Sequence, residues 1–159
     1  KGGTEWYSYY LIQHLKSVIP ADAEVVLYSK TLLMGDLGIL QPNWKSVVPS
    51  WPPKFLWTQF RLSWEMIFHP VDLLFVPAHT IPLFHPKKTV TTCHDIGFIR
   101  MPYLYSFKER AYHRLTMWFA ILFAKRIIVP SKFIKQEILH IYPVKSEKIN
   151  VVYHGAPEV

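Results

Sequence analysis

The sequence contains few of the residues that mark specialised classes of protein. Its 159 residues include one cysteine, Cys93, so no disulfide can form within the chain, which favours a reducing compartment and hence the cytoplasm. Only 6 residues are glycine, no repeat or low-complexity tract is visible, and half of the residues are hydrophobic. These features exclude a disordered chain and predict one globular domain, or one lobe of a larger protein.

Long hydrophobic runs are also lacking. The most apolar stretch, residues 115–129, is interrupted by Lys125 and Arg126, so it is too short and too charged to span a bilayer. The chain opens on Lys1-Gly2-Gly3 without an apolar segment, which is not the pattern of a secretory signal. We therefore expect neither a membrane span nor a signal peptide.

Acidic side chains are scarce, with 11 Asp and Glu against 18 Lys and Arg and a formal net charge of +7. This balance suits an anionic partner, such as a nucleotide-sugar phosphate, an anionic membrane surface or nucleic acid. Charge alone does not choose among them. The basic residues are scattered, for example at Lys87-Lys88 and Lys132/Lys135, and no standard nucleic-acid motif is present. We therefore expect no nucleic acid partner, and a basic binding module remains the alternative to an enzyme.

Helical and extended patterns alternate along the chain. Strands are predicted at 24–28, 72–76, 88–93, 126–129 and 150–153, with a weaker one at 46–48. Helices are predicted from Thr4, a candidate N-cap, to Ser17, over 55–68 and 106–124, and from Ser131 to before Pro143. Apolar residues at helical spacing predict the core-facing side of the first three helices. These residues are Tyr7, Leu11, Leu15 and Val18 in the helix from Thr4; Leu56, Phe60, Trp64 and Ile67 in the helix at 55–68; and Phe107, Ala111, Leu115, Trp118 and Leu122 in the helix at 106–124. The alternation predicts an α/β fold, a Rossmann-like parallel sheet with helices on both faces.

The strand at 88–93 ends in His94-Asp95-Ile96-Gly97. Open α/β sheets bind ligands beyond the carboxyl ends of their strands. Four strand ends would share that edge, and they read Pro77-Ala78-His79, His94-Asp95, Pro130-Ser131 and His154-Gly155. Turn residues at strand ends are the alternative reading. Because three of the four ends carry histidine, we predict a site at this edge.

The sequence resembles a known family in four places, in order and over almost the whole chain. These places are Gly2-Gly3-Thr4-Glu5 before a helix, Thr92-Cys93-His94-Asp95, the segment from Ile127 to Phe133, and the segment from Glu147 to Gly155. They are similar to the N-terminal, acceptor-side half of family 4 glycosyltransferases. The resemblance implies one lobe of the GT-B fold, in which two Rossmann-like lobes face each other across a cleft.

The resemblance also implies roles for individual residues. Gly2, Gly3 and Thr4 would lie near the donor phosphates and the acceptor. His94 would hydrogen-bond the transferred sugar or place the acceptor, and Asp95 would orient His94 or its loop. Ser131 would face the cleft from a strand end, and we place His79 with it as a phosphate- or acceptor-binding residue.

The implied reaction moves a hexose from a nucleotide-sugar to a glycan or lipid-linked acceptor, with retention of anomeric configuration. Asp95 is the only carboxylate next to the predicted site, and a front-face mechanism, in which the donor phosphate accepts the acceptor proton, is the family expectation. His79, His85, His94, Asp95 and His154 lack a compact metal-ligand spacing, and the family works without divalent metal. We therefore expect no metal and no cofactor.

Two departures from the family pattern concern the extent of the chain. The first strand and the donor-binding lobe are absent from residues 1–159, and Ala156-Pro157 resembles the start of a connector to that lobe. We therefore expect residues 1–159 alone to be inactive.

A membrane contact is a further alternative. The segment Trp51 to Trp57, with Arg61 and Trp64 beyond it, mixes aromatic and cationic side chains. It could dock at the inner face of a membrane and meet a lipid-linked acceptor. The competing interpretation, which we favour, is that these aromatic residues form the core face of the helix at 55–68.

Overall fold

The computed structural model describes residues 2–51 and 56–155. In chain order the elements are α1 (Gly3–Val18), β1 (Val25–Tyr28), β2 (Trp44–Val47), α2 (Leu62–Phe68), β3 (Leu74–Val76), β4 (Thr89–Thr92), α3 (Gly97–Arg100), α4 (Phe107–Phe123), β5 (Arg126–Val129), α5 (Lys132–Ile141) and β6 (Ile149–Val151). A wide π-helical turn, Trp57–Arg61, leads into α2. The predicted helix start at residue 55 and the Ala156-Pro157 connector lie outside the described residues.

Every strand pair is parallel. β1 pairs with β2, and β3, β4, β5 and β6 pair in that order in a second sheet. The predicted α/β fold class, a Rossmann-like lobe, is confirmed, and the weak strand prediction at 46–48 corresponds to β2. Within residues 2–51 and 56–155 the strands form two sheets, of two and four strands, where the sequence pattern predicted one.

The core is centred on β4 and β5, the two inner strands of the four-stranded sheet. Cys93, Ile127 and Val129 are fully buried there, and α4 and α5 cover them with Met117 and Ile138. Burial of such side chains is the main favourable term in folding. Three of the four residues of β4 and two of the four residues of β5 are buried.

The predicted inner faces of α2 and α4 are wrong. In α2 the buried residues include Leu62 and Met66, whereas Trp64 is 58% exposed. In α4 the buried residues are Thr116, Met117, Ala120 and Ile121, whereas predicted core residues are exposed: Phe107, Ala111, Leu115, Trp118 and Leu122. Both helices carry apolar residues on two sides, so the spacing of apolar residues could not show which side faces the core. No helix among the described residues has the length and apolarity needed to cross a bilayer.

The start of α1 differs from its prediction. Gly2, not Thr4, occupies the N-cap position, and Glu5 accepts a hydrogen bond from the Gly2 N–H (2.9 Å). Thr4 lies inside the first turn, where its carbonyl accepts a bond from the Ser8 hydroxyl (2.8 Å). A carboxylate at the third helical position satisfies a free N–H and interacts well with the helix dipole. The Gly2-Gly3-Thr4-Glu5 motif therefore starts the helix, and Glu5 is the residue whose side chain caps it.

The start of α4 follows its prediction. The Ser106 hydroxyl accepts a bond from the Glu109 N–H (3.3 Å), and the Glu109 carboxylate accepts one from the Ser106 N–H (2.8 Å). This reciprocal pair is a capping box. These hydrogen bonds keep the pKa of Glu109 below its ordinary value.

A pair of histidines joins β3 to α4. The Nε2 atom of His79 lies 3.0 Å from Nδ1 of His113, and both rings stack on Phe98 with centroids 5.8 and 5.5 Å away. Burial, and then the nearby His113, lower the pKa of His79 from 6.5 to about 4. His79 is therefore neutral at pH 7. His113 is therefore a packing residue, in contact with His79 and Phe98.

We expect Ser106→Ala to destabilise the fold by about 1 kcal/mol, since it removes the acceptor for the Glu109 N–H. Ser106→Asp keeps a capping oxygen and should retain most of the stability. Urea unfolding followed by circular dichroism measures both variants. Equal destabilisation by Ala and Asp would contradict the role given to the hydroxyl.

Replacing His79 should reduce the sensitivity of the fold to acid. Between pH 6.5 and about 4 the unfolded chain binds a proton at His79 and the folded chain does not, so stability falls as pH falls through this range. The free energy of unfolding of His79→Gln should therefore fall less between pH 7 and pH 4.5 than that of the wild type, by about 1–2 kcal/mol.

Urea titrations at the two pH values measure this difference, in which the titrating groups that do not interact with His79 cancel. His14→Gln, at an exposed position on α1, is the matched control and should follow the wild type. An acid sensitivity of His79→Gln equal to that of the wild type would show that His79 does not carry this effect.

Candidate functional site

The carboxyl ends of four parallel strands meet at one edge of the sheet. The register pairs Val76 with Thr91, Thr92 with Ile128, and Val129 with Val151, so β3 to β6 end side by side. The segments that follow carry the predicted site residues: His79 after β3, His94 and Asp95 after β4, Ser131 after β5 and His154 after β6. We call this edge the carboxyl rim.

Three rings meet at the carboxyl rim. Tyr7 of α1 lies with its ring centroid 4.6 Å from that of His94 and 5.0 Å from that of His154, and the two histidine centroids are 5.8 Å apart. The Tyr7 hydroxyl is 3.2 Å from the buried hydroxyl of Thr92 at the end of β4. We call Tyr7, His94 and His154 the ring cluster.

The orientation of His94 is set by the backbone. Its Nε2 atom lies 3.0 Å from the carbonyl oxygen of Pro77. A carbonyl only accepts, so Nε2 carries the proton and Nδ1 of the neutral ring remains as the acceptor or proton-binding atom. His94 is half-buried. The ring therefore offers one directed nitrogen at the carboxyl rim.

His154 contributes a neutral partner to the ring cluster. Partial burial, and then the nearby His94, lower its pKa from the ordinary value. Both causes disfavour the charged form of the His154 ring. At neutral pH His154 therefore acts through its dipole and its hydrogen-bonding nitrogens.

Asp95 orients the loop that follows β4. Its Oδ1 atom accepts a hydrogen bond from the Gly97 N–H (2.8 Å) at the start of α3, and its side chain faces solvent. A Cβ atom on Gly97 would lie 2.8 Å from the Tyr105 hydroxyl and 3.2 Å from Asp95 Oδ1. Close approach therefore explains the glycine in His94-Asp95-Ile96-Gly97, and of the two roles predicted for Asp95 the structure supports the second.

Cys93 is a buried structural residue. Its thiol donates to the Asp95 carbonyl (3.2 Å), and burial raises its pKa to about 12. A thiol that stays protonated at neutral pH is a poor nucleophile. Cys93 therefore supports the loop without taking part in chemistry.

The remaining predicted site residues occupy two different settings. The Ser131 hydroxyl accepts a bond from the Ile134 N–H (3.2 Å) and so caps α5, as predicted. Gly2 and Gly3 lie about one turn of helix before Tyr7, and a Cβ on either would meet nothing within 4 Å. His79 belongs to the half-buried pair with His113. The ligand-binding roles of Gly2, Gly3, Thr4, His79 and Ser131 stay predictions.

Sequence reasoning placed Tyr7 on an apolar stripe and missed it as a site residue. The signal available was its position, two residues after Gly2-Gly3-Thr4-Glu5 and so near the start of the helix, because parallel α/β topology brings the start of such a helix to the carboxyl rim. Thr92 was missed in the same way, as a β-branched residue within a strand.

No group of three or more His, Cys, Asp or Glu side chains within the described residues has an arrangement that could hold a metal ion. The ring cluster supplies two imidazoles and a phenol, and Asp95 is engaged with Gly97. This arrangement can orient hydroxyl groups and accept or donate hydrogen bonds to them.

Comparison with known proteins gives one curated relative. The chain is 35% identical over 79 residues to the O-antigen chain mannosyltransferase RfbU of Salmonella typhimurium. The match covers 48% of this chain and 21% of that protein, so the chain spans only a part of the relative's length. No solved structure matches the chain.

A family model covers nearly every residue. It is the model of Glycosyltransferase Family 4, and it matches residues 1–158. The residues that carried the resemblance lie within this range, and so does the carboxyl rim with its ring cluster. The chain is a glycosyltransferase domain, and it belongs to Glycosyltransferase Family 4.

Proposed function

We propose that residues 1–159 form the acceptor-side lobe of a retaining glycosyltransferase that moves a hexose from a nucleotide-sugar to a glycan or lipid-linked acceptor. The observation that carries this proposal is the ring cluster at the carboxyl rim of a Family 4 domain. Ligands of open α/β sheets bind at this edge, and the cluster is built to orient hydroxyl groups there.

His94 holds the central role in this proposal. With Nε2 bonded to the Pro77 carbonyl, Nδ1 is the nitrogen that accepts a hydrogen bond from a sugar hydroxyl, on either the transferred sugar or the acceptor. Placing two reactants in an attacking geometry contributes a large part of enzymatic rate enhancement. Tyr7 and His154 limit the rotation of His94 by packing on its ring.

Retention of configuration requires either a protein nucleophile or a front-face reaction. Asp95 is the carboxylate beside His94, and one of its oxygens is held by the Gly97 N–H. That bond suits a loop anchor better than a nucleophile. The proposal therefore follows the front-face reaction, in which the donor phosphate accepts the acceptor proton and positioning and electrostatics supply the catalysis.

The start of α1 and Ser131 are proposed to contact the ligands. Gly2 and Gly3 have open space where a side chain would be, and their place before a helix suits a phosphate or sugar that approaches the backbone closely. Thr4 adds a hydroxyl in the first turn. The Ser131 oxygen accepts the Ile134 N–H, so its own proton is free to be donated to a ligand. We propose no ligand contact for His79, because its Nε2 atom faces His113.

The donor is proposed to bind mainly to a second lobe, and a donor sugar can be named for testing. The relative that shares 35% identity over 79 residues is named as a mannosyltransferase, so mannose is the first candidate. The described residues offer no cluster for a metal ion, and the proposed reaction uses none. The buried Cys93 thiol suits a reducing cytoplasm, and the proposal includes no nucleic acid partner.

The proposal is tested by transfer of radiolabelled sugar from GDP-mannose, with UDP-glucose in parallel. Oligosaccharides, free or linked to a polyprenyl diphosphate, serve as acceptors. The full-length protein should transfer sugar, and His94→Ala should lower kcat/KM by at least about a hundredfold with an unchanged fold. His140→Ala, at an exposed histidine on α5, is the matched control.

Two outcomes would contradict the proposal. Near-normal turnover of His94→Ala would remove the role given to His94, and steady transfer by residues 1–159 alone would remove the need for a donor lobe.

Two variants of Tyr7 separate ring packing from hydrogen bonding. Tyr7→Phe loses the contact with Thr92 but keeps the ring against His94, so we expect its kcat to stay within about threefold of wild type. Tyr7→Ala removes the support of His94 and should lower kcat more than tenfold while KM changes less. Tyr10→Phe, one turn closer to the end of α1, is the control. Equal kcat values for Tyr7→Ala and Tyr7→Phe would show that the ring does not position His94.

A further inference from the structure

The edge of the sheet opposite the carboxyl rim has a chemistry of its own. Because β3 to β6 are parallel, the four segments that lead into them meet at their amino ends. These segments are residues 68–73, 83–88, 122–126 and 143–148. We call this surface the amino edge.

The amino edge is strongly basic. It carries six Lys and Arg side chains: Lys87, Lys88, Lys125, Arg126, Lys145 and Lys148. Against them stand two carboxylates, Asp72 and Glu147. In the described part of the chain, none of the six forms an ion pair with a carboxylate. Most of this positive charge is therefore available to an external anion.

A cleft of about 440 Å³ lies within this surface. Lys87, Lys125, Arg126, Lys145 and Lys148 line it together with apolar walls from Ile121, Leu122, Phe123 and Val144. Lys148 donates to the carbonyls of Ile121 and Leu122 at the end of α4, so it offsets the negative end of that helix. The cleft therefore combines an apolar wall with cationic groups, which suits an amphipathic anion.

Large apolar side chains surround the cations. The exposed fractions are 56% for Phe68, 55% for Leu73, 45% for Leu83, 61% for Phe84, 62% for Leu122 and 52% for Phe123. Every segment except 143–148 supplies at least one of them. Large exposed apolar side chains on neighbouring segments are the feature that marks an interaction site.

Contacts join these side chains across elements. The His85 ring packs edge-on against Phe119 and Phe123, at centroid distances of 6.0 and 6.3 Å. The Phe84 N–H donates to Ser63 of α2 (3.1 Å), and Phe68 at the end of α2 packs on the exposed Trp64 (4.5 Å). The apolar residues of α2 and of the segment before β4 therefore lie on neighbouring structure.

We propose that the amino edge binds an anionic lipid membrane surface, with lipid phosphates at the cleft and Phe68, Phe84 and Leu122 in the headgroup layer. Aromatic and aliphatic side chains among lysines and arginines are the composition of interfacial membrane-binding surfaces. Lysine stems also lie along apolar surface while their ammonium groups reach the phosphates.

The charge and the apolar side chains of the amino edge together favour an anionic membrane over a nucleic acid or a second copy of the chain. A nucleic acid backbone would neutralise the cations but would leave the aliphatic side chains Leu73, Leu83 and Leu122 exposed to water. A second copy of the chain would bring a like-charged face against this one, which is unfavourable. The inference uses only this surface and does not rest on the proposed transferase activity.

The test measures co-sedimentation of the full chain with vesicles of phosphatidylcholine alone and of phosphatidylcholine with 30% phosphatidylglycerol. We expect binding to the anionic vesicles that weakens with added salt, and at least tenfold weaker binding to neutral ones. The double variant Lys125→Glu/Lys145→Glu should weaken anionic binding at least about tenfold. Phe84→Ser/Leu122→Ser should weaken it about tenfold as well.

Matched controls change the same residue types elsewhere. Lys30→Glu/Lys108→Glu reverses two exposed cations that lie outside the amino edge, and Leu32→Ser/Ile39→Ser removes two apolar side chains that are 78% and 72% exposed. Both should bind like the wild type. Circular dichroism of every variant separates unfolding from loss of binding.

The proposal is overturned by equal binding to both vesicle types, by an equal loss in the controls, or by no vesicle binding. Binding of single-stranded RNA with the same dependence on Lys125 and Lys145, in place of vesicle binding, would identify a nucleic acid surface. Dimerisation in ultracentrifugation that Phe84→Ser/Leu122→Ser abolishes, without vesicle binding, would identify an interface between copies. Transfer activity on a soluble acceptor is measured separately. A negative result in the vesicle assay therefore does not decide the proposed transferase function, which its own assay tests.

Discussion

The parallel pairing of β3 to β6 is the constraint on which the rest of the structure depends. Pairing in one direction brings all four carboxyl ends to one edge and all four amino ends to the other. Residues far apart in sequence, such as His94 and His154, meet only because their strands end together. The same constraint gathers Lys87, Lys125 and Lys148 at the opposite edge. Pairing thus gives the lobe two chemically different ends.

At the carboxyl rim, main-chain groups do most of the positioning. The Pro77 carbonyl fixes the protonated nitrogen of His94, and the Gly97 N–H holds Asp95. Backbone groups next to a strand end or at the start of a helix are held by that element, which makes them better anchors than side chains on loops. Asp95 thus stabilises the loop, whereas in the proposed function Nδ1 of His94 is the nitrogen that bonds to a ligand. The predicted histidine and acid pair therefore divides into two separate tasks.

The sequence predicted the order of elements, the parallel arrangement and the rim residues, because apolar strand runs and strand-end residues are local signals. It did not predict which faces of α2 and α4 are buried. In α4 the row Thr116, Met117, Ala120 and Ile121 and the row Leu115, Trp118 and Leu122 both have helical spacing, so only tertiary packing distinguishes them. Tyr7 was missed for a related reason, since its contact with His94 joins residues distant in sequence.

The exposed apolar residues and the cations of the amino edge share a place in the topology. α2, α4 and α5 are each followed by a strand of the four-stranded sheet, so the segments after these helices lead to the amino edge. Apolar residues just before a strand, such as Leu73, and cations that bond to the last carbonyls of a helix, such as Lys148, therefore lie on one surface. Water is a poor solvent for the first group and a good one for the second. A bilayer interface accommodates both, because its headgroups supply anions and the layer beneath them is apolar.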